Sequence, residues 1–169
     1  MIIGVLSDTH IPKRAKKLPL TVLEILGRTD HIIHAGDIIT LDVIETLKKL
    51  APVTAVAGNA DPPEIRQMLG EKKIITLGGF DFGIFHGHGQ KGKTVKRAFD
   101  CFRDERVDCV IFGHSHNPFC SYENGVLLFN PGSPTDKRRN KNYSIGMIEI
   151  NGKEITPRIL FFNSESKII

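Results

Sequence analysis

The stretch Ile2-Ile3-Gly4-Val5-Leu6-Ser7-Asp8-Thr9-His10 joins a short apolar run to four polar residues. It reads as a buried strand followed by a loop. Two further stretches repeat the pattern. Asp30-His31-Ile32-Ile33-His34-Ala35 ends at Gly36-Asp37, and Val53 to Ala57 runs into Gly58-Asn59. Helical spacing fills the gaps between them. Leu20, Leu23, Ile25 and Leu26 are closed by Gly27. Thr40 is a fair N-cap for a helix carrying Leu41, Ile44, Leu47 and Leu50. Pro62-Pro63 opens a third helix through Leu69, with Gly70 as its stop.

After Gly70 the chain becomes strand-rich. Lys73 to Leu77 and Asp81 to His86 flank Gly78-Gly79 as a hairpin. Thr94 to Arg106 reads as a helix on Val95, Ala98, Phe99 and Phe102, and Val107 to Phe112 as a strand. Phe119 to Tyr122 and Val126 to Phe129 flank Glu123-Asn124-Gly125, and Tyr143 to Glu149 and Glu154 to Phe161 flank Asn151-Gly152. Alternation followed by hairpins predicts an α/β fold of two packed sheets with helices outside.

Composition sets the outer limits. The chain has 169 residues, with 40% apolar and 25% charged, and a net charge of +4. This excludes disordered, collagenous and disulfide-framework proteins. It fits one domain over residues 1–169. Cys101, Cys109 and Cys120 form no C-x-x-C pair, which excludes a zinc ribbon and favours a reducing, cytoplasmic setting. The N-terminus lacks a basic signal region, and no stretch approaches the ~20 apolar residues of a membrane span. The oddity is seven histidines beside two Tyr and no Trp.

The polar residues fall at strand ends. Asp8 and His10 follow the first strand, Asp37 the second and Asn59 the third. His86 follows the strand from Asp81; His114 and His116 follow the strand from Val107. In open α/β sheets, ligands bind at the carboxyl ends of strands, so these residues are expected on one rim. On extended backbone, i and i+2 side chains point the same way, so Asp8/His10 and His114/His116 are each expected to share an ion. Asp, Asn and His suit a borderline divalent metal. Two such ions outweigh Asp8 and Asp37, leaving a positive site that attracts phosphate and acidifies water.

Asp8-x-His10, Gly36-Asp37, Gly58-Asn59, His86 and Gly113-His114-x-His116, in that order, resemble the five-part signature of the calcineurin-like metallophosphoesterases. Ser7-Asp8-Thr9-His10, His34-Ala35-Gly36-Asp37 and Asn130-Pro131-Gly132-Ser133 look most like the small bacterial and archaeal phosphodiesterase branch. The retromer scaffold subunit shares that fold. The resemblance implies a four-layer α/β/β/α sandwich of two mixed sheets with flanking helices. It implies one ion on Asp8, His10, Asp37 and His116, and a second on Asp37, Asn59, His86 and His114. Asp37 and a hydroxide would bridge them, and that hydroxide would attack phosphorus in line.

One position departs from the pattern. Many members carry histidine after the Gly-Asn pair, where Ala60 stands here. Alanine donates no proton, and a general acid typically contributes about 10²–10⁴-fold. This favours a good leaving group, a diester (over a monoester) activated by the metals, or a proton supplied elsewhere, with His88 the candidate. Asp37, Asn59 and His88 are therefore the catalytic candidates. Asn59, His88, Ser133 and Arg138 are the candidates for substrate contact. Asp61 reads as a helix cap, His34 as a packing residue and His31 as a strand-edge residue.

Lys13, Arg14, Lys16, Lys17 and Lys137, Arg138, Arg139, Lys141 read as solvated loops or as a positive collar. No aromatics interleave, so nucleic acid is possible as a partner but not indicated. The expected function is metal-dependent phosphodiester hydrolysis of a small phosphoester. Manganese leads Ni, Zn, Fe and Co as cofactor, and a homo-oligomer is allowed. The alternatives are a non-catalytic scaffold on the same fold, or a nuclease.

Overall fold

The computed structural model describes residues 1–163 and 167–169. Ten strands and four helices follow in the order β1 (Ile2–Leu6), α1 (Leu20–Leu26), β2 (His31–His34), α2 (Leu41–Lys48), β3 (Val53–Ala55), α3 (Pro63–Leu69), β4 (Lys72–Leu77), β5 (Phe80–Phe85), α4 (Thr94–Asp100), β6 (Cys109–Ile111), β7 (Phe119–Glu123), β8 (Val126–Asn130), β9 (Tyr143–Asn151) and β10 (Glu154–Phe162). They form two mixed five-stranded sheets, ordered β10-β9-β1-β2-β3 and β4-β5-β6-β8-β7. In the first, β1, β2 and β3 are parallel, with β9 antiparallel to β1. In the second, β5, β6 and β8 are parallel, and β4 and β7 are antiparallel edges.

Three apolar seams separate four layers, as expected from the resemblance. Leu6, Ile32 and Ile145 of the first sheet pack on Val22, Leu26, Val43, Ile44 and Leu47 of α1 and α2. Ile3, Val5, Ile33 and Ile148 meet Phe82, Ile84, Ile111, Leu127 and Phe129 between the sheets. Val110 and Leu128 meet Ala98 and Phe102 on the outer side of the second sheet. The cause is the two-residue period of a strand. In β6, Cys109 and Ile111 face the inner seam and Val110 the outer one. Leu127, Leu128 and Phe129 of β8 divide the same way. A strand buried on both faces therefore reads as a continuous apolar run.

The hairpin turns follow their residues. Asn124 and Gly125 both take positive φ, at 52° and 82°, which suits a primed two-residue turn. Strands β3 and β6 are shorter than the apolar runs that carry them, and two expectations about the helices differ from the structure. Thr40 sits at the N-cap of α2, but its side chain makes no capping bond. Helix α4 ends at Asp100 rather than Arg106. Beyond it, Phe102 N–H bonds to Phe99, Arg103 to Asp100 and Glu105 to Phe102, each three residues back. The apolar spacing continues, but the backbone has tightened into turns.

Parallel strands place their carboxyl ends together, so the loops after β1, β2 and β3 share a rim with those after β5 and β6. The sheets come close at Gly146, where a Cβ would collide with the Phe129 ring across the inner seam. Gly146→Ala is expected to lower stability by about 1–3 kcal/mol through overpacking. Urea unfolding measures it, and an unchanged midpoint would show that the seam yields freely.

Candidate metal centre

Each rim loop bends sharply. Asp8, His10, Asp37, His114 and His116 all take positive φ, between 45° and 66°. For residues with a Cβ this costs about 1–3 kcal/mol each and persists only where surroundings enforce it. The enforcement is hydrogen bonding. Asp8 N–H donates to Gly36 O at 2.9 Å, and His10 N–H to Asp37 O at 3.0 Å. The kinks also change how the side chains group. His10 and His116 stack, with ring centroids 5.2 Å apart, while His114 turns to Asn59. His114 and His116 therefore separate rather than share a side. The i, i+2 expectation fails for that pair because the backbone there is not extended.

Asp8 is fully buried. Its Oδ2 accepts from Ser7 Oγ at 2.7 Å and from His114 N–H at 3.0 Å. A Cβ on Gly113 would collide with Ser7 Oγ, so only glycine lets the β6 loop come this close. Asp8 Oδ1 has no hydrogen-bond partner. It lies 3.2 Å from His116 Nε2 and 3.8 Å from both His10 Nε2 and His86 Nε2. Asp37 Oδ1 accepts from Ala60 N–H at 2.8 Å, while its Oδ2 lies 3.2 Å from His86 Nε2 and 3.5 Å from His10 Nε2.

Backbone carbonyls aim the imidazoles. His86 Nδ1 meets Ala35 O at 2.7 Å and His116 Nδ1 meets Asp136 O at 2.5 Å. A carbonyl only accepts, so both rings carry the Nδ1 proton and present Nε2 to the centre. His86 Nε2 approaches Asp37 at an angle that makes no hydrogen bond. An orphaned buried carboxylate oxygen facing an orphaned imidazole nitrogen fits a cation between them. Donor atoms of Asp8, His10 and His116 cluster within 4.8 Å, as do those of Asp8, Asp37 and His86. Asn59 Oδ1 and His114 Nδ1, 2.9 Å apart, make a further donor pair.

The charges follow the same geometry. Burial opposes an ionised Asp8, but the close imidazoles of His10 and His116 and the charge of His86 hold it well below the carboxylate range. Burial opposes a charged His86, but Asp37 and Asp8 outweigh it and raise its pKa to about 9. His116 is raised against its own burial, chiefly by Asp8. His114 is pushed down to about 4 by burial and then by the charge of His86.

The remaining expected residues take different places. His88 borders the centre, its ring 5.9 Å from that of His86 and its Nε2 3.7 Å from Glu71. Ser133 is 1% exposed, and its hydroxyl donates to Asp8 O and accepts from the N–H groups of Thr135 and Asp136. It holds the Asp8 loop from behind rather than facing the cleft, so its expected substrate contact is corrected. Arg138 is exposed, beside His116. Buried His34 accepts from Gly36 N–H at Nδ1 and so donates from Nε2 to Thr9 Oγ1; burial holds it neutral, with a pKa near 3.

Asp61 is the residue whose weight the sequence hid. It does not cap α3, whose N-cap is Pro62. Its buried carboxylate accepts from four N–H groups: Asp37 and Gly58 on Oδ2, Ile38 and Ile39 on Oδ1, at 2.6–2.9 Å. It ties the Asp37 loop to the Asn59 loop. An acidic residue three positions after a strand-end glycine was the available signal.

The model of the calcineurin-like phosphoesterase superfamily domain matches residues 1–153. A probable metallophosphoesterase of Methanocaldococcus jannaschii is 39% identical over 140 residues, 82% of this chain and 70% of the relative. One from Methanothermobacter thermautotrophicus is 32% identical over 160 residues, 95% and 92% of the two chains. Among solved structures, Vps29 of Entamoeba histolytica complexed with Zn²⁺ superposes with a TM-score of 0.82 at 27% identity, covering 100% of this chain and 96% of that one.

Asp61→Ala leaves four backbone donors, three of them buried, without their acceptor. It is expected to cost at least about 2 kcal/mol in urea unfolding and about 10–100-fold in metal affinity. Wild-type affinity in this variant would remove Asp61 from any positioning role.

A metal held by His86 would displace the proton on its Nε2. Mn²⁺ affinity should therefore fall by about tenfold per pH unit as pH drops below about 9. Without metal the sign reverses. Charged His86 stabilises the fold fully below its ordinary pKa of 6.5, and this is lost as pH rises through about 9. Calorimetry in buffers of different ionisation enthalpy counts the protons; none released at pH 8 would refute the account.

Proposed function

The chain belongs to the calcineurin-like phosphoesterase superfamily, and from that premise we propose that it is a phosphodiesterase with two divalent ions at its rim. The reading treats residues 1–169 as one domain and places manganese first among the metals. Its support is one observation: Asp8 Oδ1, buried and unpartnered, faces three imidazole nitrogens beside Asp37 Oδ2. An isolated buried carboxylate oxygen is costly unless a cation or donor meets it.

Asp8, His10, Asp37 and His116 would hold one ion, and Asp37, Asn59, His86 and His114 the other. When bound, such ions supply charge stabilisation of the phosphoryl oxygens and a water acidified toward neutral pH. The chain does the rest. Ala35 and Asp136 carbonyls fix the rings of His86 and His116. Asp61 fixes the spacing of Asp37 and Asn59. Asn59, His88 and Arg138 border the open side, where they contact the substrate phosphate and the departing oxygen. Ala60 offers no proton, which is the ground for diesters over monoesters.

The likeness to Vps29 raises a second reading, a docking protein on the same fold. The intact donor set favours catalysis. Protein loaded with Mn²⁺, Ni²⁺ or Zn²⁺ is expected to hydrolyse bis-p-nitrophenyl phosphate, with Asp37→Ala and Asn59→Ala reduced to background. Metal analysis of the same samples should show each variant short of metal. A folded, metal-loaded protein inert on all aryl phosphoesters would overturn the catalytic reading.

A further inference from the structure

Residues 11–19 and 131–142 carry eight Lys and Arg and one acidic residue, Asp136. Outside them the chain carries fifteen Lys and Arg against eighteen Asp and Glu. The net positive charge of the protein is therefore confined to two loops. The fold brings these loops together on the His10 and His116 side of the centre. Arg14 Nε pairs with Asp136 Oδ2 at 3.2 Å, and Thr135 Oγ1 donates to Thr9 O at 2.6 Å.

Both loops are also tied to the centre itself. Arg14 N–H donates to His10 O, and the Asp136 carbonyl accepts from His116 Nδ1. Asn140 Nδ2 donates to His116 O at 2.9 Å and to Asn117 Oδ1 at 3.0 Å. Arg138 is held at φ 46°, a strained position for a residue with a side chain. Lys13, Lys16, Lys17, Arg138, Arg139 and Lys141 are exposed and have no acidic partner among the described residues. Cations crowded within a Debye length of about 8 Å repel one another, and an anion relieves that repulsion.

We propose that these two loops form an anion subsite beside the centre, and that the substrate is a phosphodiester carrying further phosphates next to the scissile one, contacted through its backbone. The inference rests on the phosphoesterase reading and adds its substrate class. Neither loop contains an aromatic residue, so contact is to phosphate and sugar, without base stacking.

The test is anisotropy of a fluorescent single-stranded octanucleotide on metal-free protein, read across 50–200 mM salt. Affinity should fall with a log–log slope of about −0.7 per phosphate contacted. Lys13→Ala and Arg139→Ala should each flatten the slope by about that amount, while the Mn²⁺-loaded variants keep wild-type turnover of bis-p-nitrophenyl phosphate. A 5′-phosphorylated dinucleotide binding as tightly as the octanucleotide supports a small polyphosphorylated substrate; affinity growing with length supports a strand. Salt-insensitive binding, or variants that lose aryl diester turnover in step with oligonucleotide binding, overturns the subsite. Wild-type protein that binds the octanucleotide with the expected slope but turns over no diester overturns the phosphoesterase reading instead.

Discussion

The arrangement depends on one buried carboxylate whose two oxygens do different things. Asp8 Oδ2 is committed to Ser7 on its own strand end and to the His114 N–H on the other sheet. It holds the two sheets in register at the rim. Asp8 Oδ1 is left bare, inside the protein, among imidazoles. A carboxylate in this position is tolerable only with positive charge close by. The raised pKa of His86, about 9, and the upward shift of His116 are the response of the neighbouring imidazoles to that demand. A divalent cation would supply more, in the same place.

The neighbouring loops serve that demand. Five of the seven proposed ligands sit in left-handed backbone, and each kink is held by bonds between loops rather than within one. Asp61 and Ser133 are the clearest cases. Each is a polar side chain with every acceptor or donor spent on loop backbone. Strain near the centre is thus met by buried hydrogen bonds one layer behind it, where solvent cannot compete.

Much of this was legible in the sequence. The apolar runs leading into Asp8, Asp37, Asn59, His86 and His114 announced the rim where these residues meet, because apolar runs and polar ends report directly on burial. The two-sheet architecture followed from alternation giving way to hairpins. What escaped was whatever depends on contacts distant in sequence. Asp61 looks like any acidic residue ahead of a helix until Ile38 and Ile39 are seen to reach it. Ser133 looks like a substrate contact until its hydroxyl is found beneath Asp8. The resemblance had already grouped His116 with His10 and His114 with Asn59; the i, i+2 spacing had paired His114 with His116 instead, because residue type does not set the left-handed backbone there. The end of α4 escaped because apolar spacing persists past Asp100 while the hydrogen bonding does not.

The donors are divided between sheets. The sheet containing β1, β2 and β3 supplies Asp8, His10, Asp37 and Asn59; the one containing β5 and β6 supplies His86, His114 and His116. Neither sheet alone holds a full set, and the seam that joins them is the apolar one around Phe129 and Ile33. A complete donor set therefore exists only where that seam is closed. A nascent chain with only its first three strands exposed offers a metal four scattered donors and no cage. A metal held by donors from both sheets would report that the two halves of the chain have met.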